Sequence, residues 1–298
     1  VGKSEVALGL ADRLGAEIVC ADSRQVYRGM DIGTAKPTAA ERAQVAHHLV
    51  NLVDPDEPYS AGRFARDASA CLEALHARGA RALVVGGTGL YLRALVWGLC
   101  DGPPADAGVR RAWLERERQE PGAVYRRLGD VDADSAKAIH PHDLPKALRA
   151  LEVFELTGTP LSARQRTHGF RASRYDAVVV GLRRDREDLY DRINRRVDAM
   201  MEAGLAAEVQ RLIHRGYGDD APGMRAVGYR QLAAAWGGAY DLSEAVRLIK
   251  RDTRRYAKRQ MTWFTADPSI RWVDVGKHAA VDEIVRRVAA HVDVTAGV

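Results

Sequence analysis

Apolar residues recur at helical spacing in Val6, Leu10 and Leu14, and Gly15 interrupts the run just before Glu17-Ile18-Val19-Cys20. Spacing of i, i+4, i+8 predicts an amphipathic helix, and the β-rich run behind it predicts a strand. The succession repeats at Ala61 to Arg78, where Phe64, Ala68, Leu72 and Leu75 share one face, Gly79 closes the helix and Ala82-Leu83-Val84-Val85 forms a continuous apolar strand. Strands that are apolar without alternation, and separated by helices, predict an α/β fold with a parallel sheet covered on both faces.

Between Gly102 and Ser173 the punctuation changes to Pro103-Pro104, Pro121-Gly122, Pro141, Pro145 and Gly158, with no strong strand among them. This predicts a helical insertion. The chain then returns to an apolar strand at Ala177 to Leu182, expected to join the first sheet. Helices are predicted over Asp185 to Met201 with Leu189, Ile193 and Val197 inward, Leu205 to Arg215, and Ser243 to Phe264. A short strand at Arg271 to Val275 and an amphipathic helix to His291 follow. The expected organisation is a core in two parts, residues 1–101 and 174–298, with an inserted domain at 102–173.

Composition narrows the classes. The 298 residues, 46 % apolar, suffice for one large or two medium domains at about 150 residues each. A net charge of +5 and a pI near 9.2 suit a polyanionic partner. Cys20, Cys71 and Cys100 are widely spaced with no C-x-x-C pair, which excludes a zinc ribbon or redox couple and suits reduced thiols in the cytoplasm. The apolar stretch Ala82 to Leu99 holds Gly86, Gly87, Gly89 and Arg93, so no membrane span is expected there. The chain opens on Val1 rather than Met, and its natural start is expected to lie upstream.

Gly2-Lys3-Ser4 at the mouth of a helix matches the end of G-x-x-x-x-G-K-[ST], in which backbone N–H groups hold phosphates while Lys and Ser reach phosphate and Mg2+. A nucleotide hydrolase would next need a strand ending in a carboxylate, yet the strand at 82–85 ends in Gly86-Gly87-Thr88-Gly89. Asp22, after Val19-Cys20-Ala21, is the carboxylate at a strand's carboxyl edge; it suits Mg2+, a proton taken from a nucleophile, or simply an Asx turn or cap. Thr88 is placed to cap the next helix, and the two glycines before it suit close approach of a ligand. Arg192 and Arg196 lie one helical turn apart. Lys250, Arg251, Arg254, Arg255, Lys258 and Arg259 crowd the long helix before Gln260-Met261-Thr262-Trp263-Phe264, and Arg225-Ala226-Val227-Gly228-Tyr229-Arg230-Gln231 repeats the basic and aromatic mixture. Solvated faces explain such clusters, and so does nucleic acid. His47-His48 and His140 with His142 have no metal-ligand spacing and are expected to be structural.

These residues resemble the tRNA dimethylallyltransferases, also called isopentenyl-diphosphate:tRNA transferases. The matching stretches are Gly2-Lys3-Ser4, Ala21 to Pro37, Asp54-Pro55 with Tyr59-Ser60, Val85 to Tyr91, Arg149 to Val153, Val227 to Gln231, and Lys258-Arg259-Gln260 with Thr262-Trp263. The resemblance implies a P-loop NTPase or kinase-like parallel sheet core with an inserted helical domain. It implies transfer of a dimethylallyl group from dimethylallyl diphosphate to N6 of the adenosine 3′-adjacent to the anticodon in tRNA. Asp22 then matches the base or acceptor for the amine, Thr88 the positioning group beside it, and Gly2, Lys3, Ser4 and Arg196 the diphosphate site, with Ser4 on Mg2+. The tRNA anticodon stem-loop would meet Asp22, Ser23, Arg24, Gln25, Arg110, Lys146, Arg149, Arg225, Gly228, Tyr229, Arg230, Lys258, Arg259, Gln260 and Trp263. Pro145 to Arg149 departs from the family's Gln-Arg pattern, so Lys146 and Arg149 alone carry over there. The front of the P-loop and its strand are expected before Val1, and no Cys2His2 finger follows, which suggests a bacterial-type, monomeric, cytoplasmic enzyme. The competing readings are a P-loop small-molecule kinase using ATP and a non-catalytic RNA-binding protein.

Overall fold

The computed structural model describes residues 1–169 and 173–293. Residues 170–172 of the expected insertion and 294–298 of the expected second core part lie outside them. Two compact units are formed, one by Val1–Val96 with Tyr175–Val298, the other by Trp97–Arg174.

In the first unit, α1 (Lys3–Leu14) ends at Gly15, whose left-handed backbone lets its N–H bond back to the last turn. β1 (Ala16–Ala21) follows. The short α2 (Ala39–Gln44) carries a capping box between Thr38 and Glu41 and leads into β2 (His47–His48). Next come α3 (Ala61–Ala77), capped by Ser60, then β3 (Arg81–Gly86) and α4 (Gly89–Val96). The sheet order is β2-β1-β3, all parallel, with Ala16 opposite Arg81 and Ala21 opposite Gly86.

Successive strand residues point to opposite faces. Ile18 and Cys20 therefore pack with Ala7 and Ala11 of α1, while Val19 and Ala21 join Phe64, Ala68, Leu75, Tyr91 and Leu95. Both faces are covered at β1, as its unbroken apolar run predicts, whereas Leu83, Val84 and Val85 of β3 are only half-buried and Ala82 is exposed. The rings of Phe64 and Tyr91 stack at 4.4 Å, fastening α3 to α4.

In the second unit, α5 (Ala107–Gln119), α6 (Ala123–Val131), α7 (Ala133–Ala138), α8 (Leu144–Thr157) and α9 (Leu161–His168) surround Val124, Leu128, Ala147, Leu148 and Leu151. Asp106, Asp132 and Asp143 cap α5, α7 and α8 through their side chains.

The first unit resumes with β4 (Val180–Arg184), α10 (Arg186–Glu202), α11 (Leu205–His214), α12 (Tyr229–Trp236), α13 (Leu242–Thr265), β5 (Arg271–Val275) and α14 (Val281–Asp293). One expectation is corrected here. The strand starts at Val180 rather than Ala177, and among the described residues it pairs with β5 in a separate parallel ladder, not with the first sheet. Its partner lies far along the sequence, and an Arg183–Asp274 pair at 2.6 Å reinforces the ladder. α1 and α14 pack together beside it through Val6, Leu10, Ile284, Val285 and Val288.

Candidate active site

The carboxyl ends of β1 and β3 lie side by side, so the residues leaving them are neighbours across the sheet edge. Asp22 leaves β1, and its Oδ1 accepts the Arg24 N–H at 2.8 Å. The Asx turn is thus real, and it fixes the carboxylate while the other oxygen keeps its acceptor capacity. Thr88 leaves β3, and its Oγ1 accepts the Ser23 N–H at 3.0 Å. The Thr88 carbonyl receives the N–H groups of Tyr91 and Leu92, but its hydroxyl is committed across the two strand ends rather than capping α4.

The glycines before Thr88 have a packing reason in the structure. A Cβ on Gly86 would sit 2.0 Å from the Ala21 carbonyl oxygen, and one on Gly87 would meet Gln260 Nε2 at 2.5 Å. The β1 backbone and the α13 side chain Gln260 thus leave no room for a Cβ at either glycine. Gln260 donates to the Gly87 carbonyl at 2.7 Å.

Lys3 stands at the start of α1, behind Gly2, whose φ of 91° turns the chain into the helix. First-turn N–H groups lack intrahelical acceptors, and the helix dipole adds positive potential. Burial lowers the Lys3 pKa, and Asp22 and Cys20 oppose that shift. The Arg196 guanidinium on α10 is likewise lowered by burial and raised by Asp22 and Glu5. Lys3, Asp22 and Arg196 therefore feel one another's charge at one end of the sheet. Burial pushes the Cys20 thiol up to about 12, so it stays protonated. Lys3 and Ser4 also line an open cleft with Leu8, Cys20, Gln25 and Glu41.

The remaining expected contacts divide by burial. Arg24 donates to the Pro222 carbonyl, and Gln25 to the Thr34 and Ala35 carbonyls, tying the strand-end loop to its surroundings. Tyr229 is fully buried with its hydroxyl on Glu208, and Gly228 is buried as well. The Tyr229 phenol is therefore spent inside the core. Arg225 and Arg230 are exposed, Arg230 resting on Asp252 at 2.7 Å. On α13, Lys258, Arg259 and Trp263 are exposed. Within the second unit, Arg110 and Arg149 both grip the buried Glu152, which accounts for them structurally, whereas Lys146 is open to solvent beside Asp143. His48 pairs with Glu17 and His47 bonds the Val45 carbonyl; His140 Nδ1 accepts the His142 N–H.

Three residues were missed from the sequence. Glu208 accepts the N–H groups of Asp31, Ile32 and Gly33. Asp252 gathers Arg230, Gln231 and Arg251. Tyr256 stands one turn before Gln260 on α13 with the Arg259 guanidinium 5.8 Å from its ring centroid, and that spacing was a signal available from the sequence.

The model of the family described as IPP transferase matches residues 25–267. A tRNA dimethylallyltransferase 2 of Geotalea uraniireducens is 50 % identical over 92 % of this chain and 88 % of its own length. A tRNA dimethylallyltransferase of Syntrophobacter fumaroxidans is 51 % identical over 96 % and 84 %. Among solved structures, a tRNA isopentenylpyrophosphate transferase from Bacillus halodurans superposes with a TM-score of 0.71 at 38 % identity, covering 98 % of this chain and 93 % of that one. A eukaryotic dimethylallyltransferase acting on tRNA gives a TM-score of 0.81 at 28 % identity, covering 97 % and 74 %. Similarity of this extent, in both sequence and fold, means that the chain belongs to the IPP transferase family.

Proposed function

We propose that this protein transfers a dimethylallyl group from dimethylallyl diphosphate to N6 of the adenosine 3′-adjacent to the anticodon in tRNA, on a P-loop-like core. The observation that carries the reading is the convergence of Asp22 and Thr88 with Lys3 and Arg196 at one sheet edge. A carboxylate beside two cations suits an amine attacking carbon while an anion departs. The N6 nitrogen bonds to the allylic carbon, the carbon–oxygen bond to diphosphate breaks, and Asp22 accepts the amine proton. Thr88 orients the reacting group. Lys3, Arg196 and the open N–H groups of α1 meet the charge on the departing diphosphate.

Mg2+ fits the residues present. Ser4, in the first turn of α1, would offer the ion a hard oxygen ligand of the kind Mg2+ takes. When bound, the ion adds positive charge beside the diphosphate.

The target base must leave its stack, at a cost of a few kcal/mol, and exposed Lys258, Arg259, Arg225, Lys146 and Trp263 offer the cationic and stacking contacts that offset it. No helix of the described residues is long and apolar enough to cross a membrane. The test is to mix the protein with unmodified tRNA, Mg2+ and radiolabelled dimethylallyl diphosphate. Label in the anticodon loop is expected; no label, with ATP consumed on small phosphate acceptors, would make the protein a kinase instead. Asp22→Ala should slow transfer by roughly 10²-fold with tRNA affinity retained, and near-normal turnover would remove Asp22 from the mechanism.

A further inference from the structure

Gln260 on α13 reaches the glycine turn at the end of β3, and its Nε2 donates to the Gly87 carbonyl at 2.7 Å. A carbonyl only accepts, so the partner settles which way the amide faces. That carbonyl and the Thr88 N–H belong to one planar peptide unit, whose N–H donates to the Ala21 carbonyl at the long distance of 3.4 Å. The short bond from Gln260 is therefore the stronger hold on this peptide. Gly86 and Gly87 restrain it little themselves, because residues without a Cβ have the widest backbone freedom. Glycine at 87 is also what admits the amide, since a Cβ there would fall 2.5 Å from Nε2. One turn on, the Trp263 indole lies over Gly89 where a Cβ would overlap the ring, so α13 bears on the residues on both sides of Thr88. Thr88 in turn reaches the loop that carries Asp22: its Oγ1 accepts the Ser23 N–H at 3.0 Å and donates to Ser23 Oγ at 3.4 Å.

We propose that Gln260 is a positioning residue of the transfer reaction: its side-chain amide holds the Gly87–Thr88 peptide and thereby sets where Thr88 stands beside Asp22. The inference rests on the transferase reading and on the role given above to Thr88. Gly87 and Gln260 are both half-buried, so water can satisfy the carbonyl when the amide is removed, and the fold does not depend on the bond. The exposed Lys258 and Arg259 stand immediately before Gln260, so a loss of rate has to be separated from a loss of RNA binding.

The test is single-turnover transfer of labelled dimethylallyl to tRNA with both substrates saturating, measured beside tRNA Kd by filter binding and the melting temperature. Gln260→Met keeps the length and bulk of the side chain and removes the donor. It should slow transfer by about 10-fold, within the range of coupling between neighbouring groups, and leave the tRNA Kd and the melting temperature unchanged. In a Thr88→Ala background the same substitution should add no further loss. A Gln260→Met rate within about twofold of wild type, a weakened tRNA Kd at unchanged rate, or the same loss persisting without the Thr88 side chain would each overturn the proposal. Wild-type protein that transfers no label would instead overturn the transferase reading itself, and the part of Gln260 with it.

Discussion

Replacing Glu208 by glutamine removes one acceptor oxygen from a buried cradle and puts an NH2 group in its place. Oε2 accepts the N–H groups of Asp31 at 3.1 Å and Ile32 at 2.9 Å, while Oε1 accepts Gly33 N–H at 3.3 Å and the Tyr229 hydroxyl at 2.5 Å. The better amide orientation puts nitrogen at Oε1, where Tyr229 can turn and accept from it. Gly33 N–H then faces a donor. One unsatisfied buried N–H costs about 1–3 kcal/mol, and loss of the charge weakens the other bonds by about 1 kcal/mol in all. The expected destabilisation is about 2–4 kcal/mol, a melting temperature lower by roughly 5–12 °C for a unit of this size. Urea and thermal unfolding measure it. A loss below about 0.5 kcal/mol would refute the view that Glu208 anchors the segment following Asp22.

Gly86→Ala should cost more than about 3 kcal/mol or prevent folding, because its Cβ meets strand backbone, whereas Gly87→Ala, which meets the movable end of Gln260, should cost about 1 kcal/mol; equal effects in urea unfolding would contradict this. Burial opposes ionisation of Glu152, but hydrogen bonds from Arg110, Arg149 and the Asp106 N–H outweigh it and hold the pKa below the usual range. That contribution to stability is present above the unfolded pKa of about 4.3 and is lost as pH falls through the folded value. Melting temperatures should therefore fall under acid, with Glu152→Gln less acid-sensitive than wild type; identical profiles would argue otherwise. tRNA affinity should decline steeply with salt, and Lys258→Ala should flatten the log–log slope by about 0.7–0.9. A salt-independent affinity would exclude the exposed cations as the contact surface.

The coverage of β1 was legible from its unbroken apolar run, and its alternate residues do serve the α1 side and the α3–α4 side, while the equally apolar run of β3 is only half-buried. The helices α10, α11 and α13 and the strand β5 were legible from periodicity and caps. β4 was misplaced because strand pairing is long-range, and local apolarity does not name a partner in β5. α2 and β2 are too short for a periodic signal. At the site, Gly2-Lys3-Ser4 and the strand-edge Asp22 announced a charged edge from their own residues, while Thr88 and Arg196 gained roles through the family pattern. What the sequence hid were the distant partners: Gln260 and Trp263 explain the glycines, Glu208 explains the buried Tyr229, and Glu152 explains Arg110 and Arg149.

The central claim is tested most directly by the fate of the label from dimethylallyl diphosphate, mapped by nuclease digestion of tRNA treated with wild-type protein and with Asp22→Ala. The account predicts label on the adenosine 3′ to the anticodon, one diphosphate released per group transferred, and a rate that collapses without the Asp22 carboxylate while tRNA binding persists. Label absent from that nucleotide, or transferred equally well by Asp22→Ala, would contradict it.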